Sequence, residues 1–219
     1  MEFHDCCVYQ APDNATILGM ASILGWDGIC MLRKPDQKKG IKIKRGPGLA
    51  DGMLLDIRKA SSVKKLISSP TNKNNIVAVR GSCEEVSRAV LESREADLLV
   101  PDPMTKIDLV MAKLAKENSV AVCFEFRHLL ENSGGERSRI FSQMKKNAAH
   151  LKKCGSPFCL CSGAMNPYDM RSPSDLMSFG RLLGFGDPDV KKAVSGRFME
   201  KAVRRKGKGS VMPGVEVEE

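Results

Sequence analysis

Four short apolar runs in this sequence end in an arginine, and no other residue type recurs at run ends in this way. The four arginines are Arg33, Arg58, Arg80 and Arg127. Guanidinium groups match phosphate oxygens with two parallel hydrogen bonds and stay charged at any working pH. If the apolar runs are parallel strands, their carboxyl ends meet at one edge, and the arginines then form a cationic rim suited to phosphates.

A purely structural role for the same arginines is equally open. Carboxylates that lie near the run ends in sequence are Asp56, Asp102 and Glu125. Each arginine could pair with one of them and only brace the fold, because exposed ion pairs of this kind are common. The sequence leaves both roles open at each site.

Groups that would activate water are sparse. His4 and Asp5 stand together, but a His-x-His metal pair is missing because position 6 is cysteine. His128 is far from them along the chain, and neither a Gly-x-Ser-x-Gly elbow nor a Walker-type phosphate loop is present. The pattern favours a binding protein that is itself non-catalytic.

Cysteines admit two interpretations. Cys154, Cys159 and Cys161 are candidates for a zinc site, but the chain has no Cys-x-x-Cys and only three histidines. The alternative is that Cys159 and Cys161, which share one face of a strand, are small apolar fillers of a reduced core.

The elements that would position these groups alternate along the chain. Seven apolar, strand-like runs are separated by amphipathic helical stretches, which predicts a parallel sheet covered by helices. A closed α/β barrel fits the 219 residues, and no Gly-x-Gly-x-x-Gly follows the first strand. An open, doubly wound sheet is the alternative.

Helix starts and strand ends give more local predictions. We expect helix caps at Asn14, at Ser82 with Glu85, at Thr105 with Asp108, and at Ser172 before Pro173. A third strand is expected over 53–58. Leucine, valine and methionine at helical spacing, including Val110 and Leu182, are expected to face the core.

The net charge of the chain indicates the kind of partner it binds. Lys and Arg number 35 against 26 Asp and Glu, a net charge of +9, which suggests a polyanionic partner. Basic residues concentrate in segments 33–45 and 191–208. Aromatic residues make up only 5%, so recognition of RNA backbone and shape fits better than base stacking.

We expect a single domain over 1–205, a flexible tail over 206–219, a cytoplasmic location and no membrane association.

Several longer motifs resemble one known family. They are Leu24-Gly25-Trp26-Asp27-Gly28-Ile29, Ala96-Asp97-Leu98-Leu99-Val100-Pro101, Ser162-Gly163-Ala164 and Asp169-Met170-Arg171-Ser172-Pro173. From about Phe3 to Arg205 the chain resembles the archaeal ribonuclease P protein component 3 family, counterpart of the thirty-kilodalton subunit of eukaryotic ribonuclease P. Gly163 departs from the family, which usually has Asp at that position.

The resemblance implies a TIM-barrel-like fold with peripheral helices, akin to metal-dependent phosphoesterases of the polymerase-and-histidinol-phosphatase type but without their ligands. It implies a subunit of the endoribonuclease that removes 5′ leaders from precursor tRNA. The RNA component would carry the reaction with its own Mg²⁺, and no cofactor would be bound by this chain. Expected partners are the ribonuclease P RNA, a small ferredoxin-like protein subunit, the other ribonuclease P proteins and precursor tRNA.

Candidate RNA- or partner-binding residues combine strand-end or helix-start positions, or basic segments, with this resemblance. They are Arg80, Arg88, Arg127, His128, Arg137, Arg171, Lys42, Lys44 and Arg45. The alternative function is a free-standing metal-dependent phosphoesterase with ligands at His4, Asp5, Asp102 and His128.

Overall fold

The computed structural model describes residues 2–37, 48–69 and 76–195, together with the backbone of 210–212 and 215–216. Its strands are β1 (His4–Tyr9), β2 (Gly28–Arg33), β3 (Gly48–Ile57), β4 (Ile76–Gly81), β5 (Leu98–Pro101), β6 (Ala121–Glu125), β7 (Phe158–Cys161), β8 (Ser210–Met212) and β9 (Val215–Glu216). Its helices are α1 (Asn14–Ile23), α2 (Val63–Ile67), α3 (Glu84–Glu92), α4 (Leu109–Glu117), α5 (Arg127–Glu131), α6 (Gly134–Cys154), α7 (Pro173–Leu183) and α8 (Asp187–Ala193).

Strands β1 to β7 form one sheet in chain order, and every neighbouring pair is parallel. The sheet curls until its two edges meet. Tyr9 N donates to Ala164 O at 2.8 Å, and Gly163 N donates to Cys7 O at 3.0 Å. The result is a nearly closed barrel surrounded by helices, which confirms the predicted fold class. The open doubly wound alternative was wrong.

Two apolar layers hold the barrel together because strand side chains alternate between its inside and its outside. The larger layer lies between the strands and the helices and includes Leu99, Val122, Leu160 and Leu176. The smaller layer fills the barrel interior and is rich in cysteine. Its cysteines are Cys6, Cys7, Cys30, Cys123, Cys159 and Cys161.

Several predicted helix starts were displaced by one or more residues. Asp13, not Asn14, caps α1 by accepting from Thr16 N, while the Asn14 side chain instead accepts from Ala11 N. Polar side chains close to a helix start compete for backbone donors in this way, so several can fit the same sequence pattern.

The two predicted capping boxes ahead of α3 and α4 are absent for a related reason. Ser82 Oγ donates to Ile57 O, and α3 begins after Cys83. Thr105 Oγ1 donates to Gly81 O, while Asp108 caps α4. Both hydroxyls thus tie the loops to neighbouring strand ends. Before α7, in contrast, Ser172 and Asp175 form the predicted cap as a capping box.

Other local predictions need correction as well. Strand β3 begins at Gly48, five residues before the predicted start, because its first half pairs with β2. Val110 and Leu182 were expected in the core but are 52% and 65% exposed. Both lie on helices with one buried and one exposed face, each next in sequence to a residue that does face inward (Met111 and Leu183), so helical spacing alone misplaced them.

The C-terminal range that was expected to be a flexible tail contains two short strands. Strands β8 and β9 pair in antiparallel fashion, and the remainder of 206–219 lies outside the described residues. No helix in the described part of the chain is long and apolar enough to cross a membrane.

Candidate nucleic-acid interface

Five side chains converge where β1, β4 and β6 end, and we call them the mouth cluster: Tyr9, Arg80, Glu125, Arg127 and His128. Tyr9 OH donates to Glu125 Oε1 at 2.5 Å, and Arg80 Nη2 donates to Tyr9 OH at 2.8 Å. His128 Nε2 lies 2.9 Å from Glu125 Oε2. The cluster therefore joins a buried carboxylate to two guanidinium groups through one phenol.

Glu125 is the anchor of the mouth cluster. Its side chain is only 1% exposed, so an unpaired charge there would be costly. Burial by itself raises the pKa of Glu125, but His128, Tyr9 and Arg80 outweigh it and lower the pKa to about 2. The carboxylate is thus ionised at neutral pH and fixes the positions of the groups around it.

The two arginines of the cluster flank the Tyr9 ring. The guanidinium carbons of Arg80 and Arg127 lie 5.5 and 5.8 Å from its centroid, within the range of cation–π attraction. Both side chains are part-exposed, at 25% and 18%. Contact with the buried Tyr9 ring therefore positions each arginine, while part of each guanidinium side chain faces solvent.

Carboxylates also approach both arginines at the rim. Arg80 Nη1 is 3.9 Å from Asp102 Oδ1, at the outer limit of an ion pair. Arg127 Nε donates to Glu131 Oε1 at 2.7 Å. The Asp102 pairing matches one of the structural alternatives, whereas Glu131 was not foreseen because Arg127 begins helix α5 and meets its own next turn.

The backbone at Gly163 explains how Glu125 fits. Gly163 has φ of +65°, and a Cβ added there would lie 2.9 Å from Glu125 Oε1. A larger residue would strain the backbone and press on the carboxylate. The missing side chain at Gly163 therefore leaves room for the carboxylate that β6 supplies.

The other candidates occupy separate places. Arg88 pairs with Asp108 at 3.1 Å and links α3 to the start of α4. Arg137 Nε donates to Asn132 O at 2.7 Å in the first turn of α6. Arg171 Nη1 donates to Tyr168 O and Met170 O, and its guanidinium lies 5.6 Å from the Phe126 ring. Lys42, Lys44 and Arg45 lie outside the described residues.

Two further strand-end arginines differ from Arg80 and Arg127. Arg33 is buried, and its Nη1 donates to Gln37 O at 3.2 Å. Arg58 is exposed. The strand ends therefore bring two of the four arginines into one cluster, not all four.

Tyr9 and Glu125 are the members of the cluster that sequence reasoning did not select as functional. Glu125 was considered only as a possible partner for an arginine. The signal was present: a single carboxylate ends the otherwise apolar strand β6. A buried charge at the carboxyl end of a barrel strand indicates either a brace or a functional group.

The four residues of the metal-site alternative have different partners. Asp5 accepts from Ser162 Oγ at 2.5 Å, His128 contacts Glu125, Asp102 approaches Arg80, and His4 lies 3.6 Å from Glu2. Across 2–37, 48–69 and 76–195, no three His, Cys, Asp or Glu side chains come together as a metal site. These residues do not fit the metal centre that the phosphoesterase alternative requires.

Cysteine positions separate the proposed zinc ligands. Cys159 and Cys161 both face the barrel interior, which confirms that they share a face. Cys154 packs instead in the layer between strands and helices, where its Sγ lies 3.9 Å from Leu109 O. The three thiols are thus divided between two sides of the sheet wall.

Comparison with known proteins decides the family. The family model described as RNase P subunit p30 matches residues 2–208. The chain belongs to this family. Ribonuclease P protein component 3 of Methanosarcina mazei is 31% identical to it over 99% of this chain and 95% of the relative. The protein of the same description from Haloarcula marismortui is 24% identical over 97% of this chain and 96% of the relative.

Solved structures support the fold of this ribonuclease P subunit. A chain in the cryo-EM structure of archaeal ribonuclease P with mature tRNA superposes with a TM-score of 0.79 at 22% identity, covering 98% of both chains. Histidinol phosphate phosphatase of Lactococcus lactis, solved with zinc, L-histidinol and phosphate, gives a TM-score of 0.52 at 11% identity over 89% and 94%. At 11% identity the second likeness shows the barrel fold alone.

Proposed function

We propose that the mouth cluster of this ribonuclease P subunit holds the phosphate backbone of folded RNA in the enzyme that removes 5′ leaders from precursor tRNA. The observation that carries the proposal is the pair of part-exposed guanidinium groups, Arg80 and Arg127, held at one barrel mouth by Tyr9 and Glu125. Function in barrels of this type concentrates at the carboxyl ends of the strands.

Fixed positions matter for phosphate binding. A long side chain free in water loses rotamer freedom when it binds, whereas one already held loses less. The buried carboxylate of Glu125 supplies that restraint from inside the barrel. Burial lowers the pKa of Arg80, but the electrostatic effects of Tyr9 and then of Glu125 raise it above its ordinary value. The Asp102 and Glu131 contacts are partly solvated and would exchange for phosphate oxygens.

The chemistry of leader removal belongs elsewhere in the particle under this proposal. This chain binds no cofactor, the catalytic Mg²⁺ ions are held by the RNA component, and the purified chain alone cleaves no precursor tRNA. Its partners are the ribonuclease P RNA, a small ferredoxin-like protein subunit and the other ribonuclease P proteins, in the cytoplasm. These finer assignments rest on the family resemblance and on the sequence pattern.

The test is the salt dependence of RNA binding by the full-length chain with Arg80→Ala or Arg127→Ala. Each neutralised phosphate contributes a slope of roughly −0.7 to −0.9 in a plot of log affinity against log salt. We expect each substitution to flatten the slope by somewhat under one unit, and lysine at either position to rescue it only partly.

Arg181→Ala is the matched control. Arg181 is also ion-paired, with its Nε 2.6 Å from Asp187 Oδ1, but it lies near the end of α7, away from the mouth. Its substitution should leave the slope unchanged. If the Arg80 and Arg127 variants lose thermal stability and keep the full slope, the arginines only brace the barrel.

A further inference from the structure

One exposed aromatic ring stands out beside the mouth cluster. Tyr168 is 85% exposed, in the turn formed by residues 165–171 between β7 and α7, which we call the Tyr168 turn. The other aromatic side chains that the structure describes are buried or half-buried. A ring this exposed presents its face to a partner, and an aromatic face can stack on a nucleic-acid base.

The Tyr168 turn is held in place by its own hydrogen bonds. Tyr168 N donates to Asn166 Oδ1 at 2.9 Å, and Asp169 Oδ2 accepts from Met165 N at 3.0 Å and from Asn166 Nδ2 at 2.7 Å. Pro167 further restricts the backbone. The ring therefore projects from a pre-organised support, and little ordering would be needed to bind through it.

Two longer-range contacts fasten the turn to the barrel. Trp26 Nε1 donates to Arg171 O at 2.8 Å, and the Arg171 guanidinium lies over the Phe126 ring, 5.6 Å from its centroid. Within the turn, Arg171 Nη1 donates to Tyr168 O at 2.9 Å. Arg171 thus braces the turn from behind, next to the residue that precedes Arg127.

The turn lies within reach of the two proposed phosphate ligands. Ala164, whose carbonyl accepts from Tyr9 N at 2.8 Å, is four residues before Tyr168. Four residues span at most about 14 Å. Arg127 N donates to Ser162 O at 3.0 Å, so the same strand end also contacts the other side of the mouth. One short length of RNA could therefore meet both features.

We propose that Tyr168 stacks on an unpaired base of the RNA whose backbone is held by Arg80 and Arg127. This rests on the proposed function and extends it from backbone contacts to a base contact. Every base has a π-face, so stacking on Tyr168 would add affinity for RNA whatever the base. A single exposed ring is sufficient for one such contact.

The surroundings favour RNA over a protein surface. A protein interface is built around a contiguous apolar centre, but only Met165, at 48% exposure, accompanies Tyr168 as an exposed large apolar side chain in this turn. The nearby carboxylate of Asp169 is used inside the turn. The neighbouring mouth carries arginines that suit phosphates.

The experiment uses the reconstituted holoenzyme with this chain as the limiting component and ribonuclease P RNA as the probe. Tyr168→Ala should raise the chain concentration needed for half-maximal leader removal by about 5-fold to about 150-fold, the loss of one stacked base. Tyr168→Phe should stay close to the unsubstituted chain, and Tyr168→Leu should behave like the alanine variant. The salt slope should be unchanged in all three.

Ile23→Ala is the matched control, because Ile23 is an 80% exposed apolar residue at the end of α1 that belongs neither to the mouth cluster nor to the Tyr168 turn. It should leave the half-maximal concentration unchanged. With 4-thiouridine in the RNA, near-ultraviolet irradiation should give a cross-link at Tyr168 in the assembled enzyme.

Three results would overturn the inference while leaving the proposed function intact. They are full activity of Tyr168→Ala at the normal concentration, equal performance of the leucine and phenylalanine variants, and loss of binding without any cross-link at Tyr168. The second and third would assign the ring to a protein partner. Failure of the unsubstituted chain to support leader removal would instead count against the proposed function.

Discussion

The buried carboxyl of Asp5 predicts how stability depends on pH. Asp5 is fully buried at the seam between β1 and β7, where it accepts from Ser162 Oγ, Ser162 N and Cys7 N. Burial raises its pKa from 3.8 to about 7, although the hydrogen bonds from Ser162 and Cys7 oppose the rise. The nearby charge of Glu125 adds to it.

The magnitude follows from proton linkage. Between these two pKa values the folded chain holds a proton that the unfolded chain has lost, so the free energy of unfolding decreases as the pH rises. The slope is about 1.4 kcal/mol per pH unit near pH 5 and levels off above pH 7, for a total of about 3 kcal/mol between pH 5 and pH 9.

Asp5→Asn isolates this contribution, because the amide has the shape of a neutral carboxyl and does not titrate. Urea denaturation at pH 5, 6, 7, 8 and 9 should give two curves whose separation changes with pH. Between pH 5 and pH 9 the free energy of unfolding of the variant should rise relative to that of the unsubstituted chain by about 3 kcal/mol. Parallel curves would refute the reasoning, since they would mean that Asp5 titrates alike in both states.

Three further substitutions test local features of the fold. Gly163→Ala should lower the free energy of unfolding by about 1–3 kcal/mol, through strain at positive φ and contact with Glu125; a neutral result in denaturant titration would mean that the mouth relaxes easily. Ser172→Ala should lower the free energy of unfolding by about 1 kcal/mol because it removes the N-cap of α7, and an unchanged midpoint of thermal unfolding would contradict this. Cys159→Ala should lower the free energy of unfolding by about 1–2 kcal/mol and leave RNA-dependent activity intact at permissive temperature. The control Cys83→Ala, at an exposed thiol, should leave the free energy of unfolding almost unchanged. Normal stability with lost activity in the Cys159 variant would show that Cys159 has a functional role.

The order and type of elements followed from local pattern. Apolar runs too short for helices alternated with amphipathic stretches, and that alternation requires a parallel sheet with helices outside it. The capping box at Ser172 was readable because all its members lie within four residues. Family membership followed from motifs such as the run around Trp26, which are contiguous in sequence.

The candidate site was only partly determined in the same way. Strand ends located Arg80 and Arg127, since carboxyl ends of parallel strands share an edge. The pairing of Tyr9 with Glu125 joins residues 116 positions apart, and it exists only because the barrel closes β1 onto the β7 end. No local pattern records which side chains face each other across a closed sheet.

Tertiary structure also decided the roles of glycine and tyrosine after β7. The sequence presented Gly163 as the loss of a carboxylate, whereas the fold shows it making room for the carboxylate of Glu125. In the sequence Tyr168 is one of few aromatic residues, and no local pattern distinguishes it from an aromatic residue of the core. Its exposure depends on the turn and on Arg171 packing against Phe126, and burial is a property of the whole packed chain. Sequence determined the barrel and its cationic mouth, and chain closure determined which groups hold that mouth and which ring stands beside it.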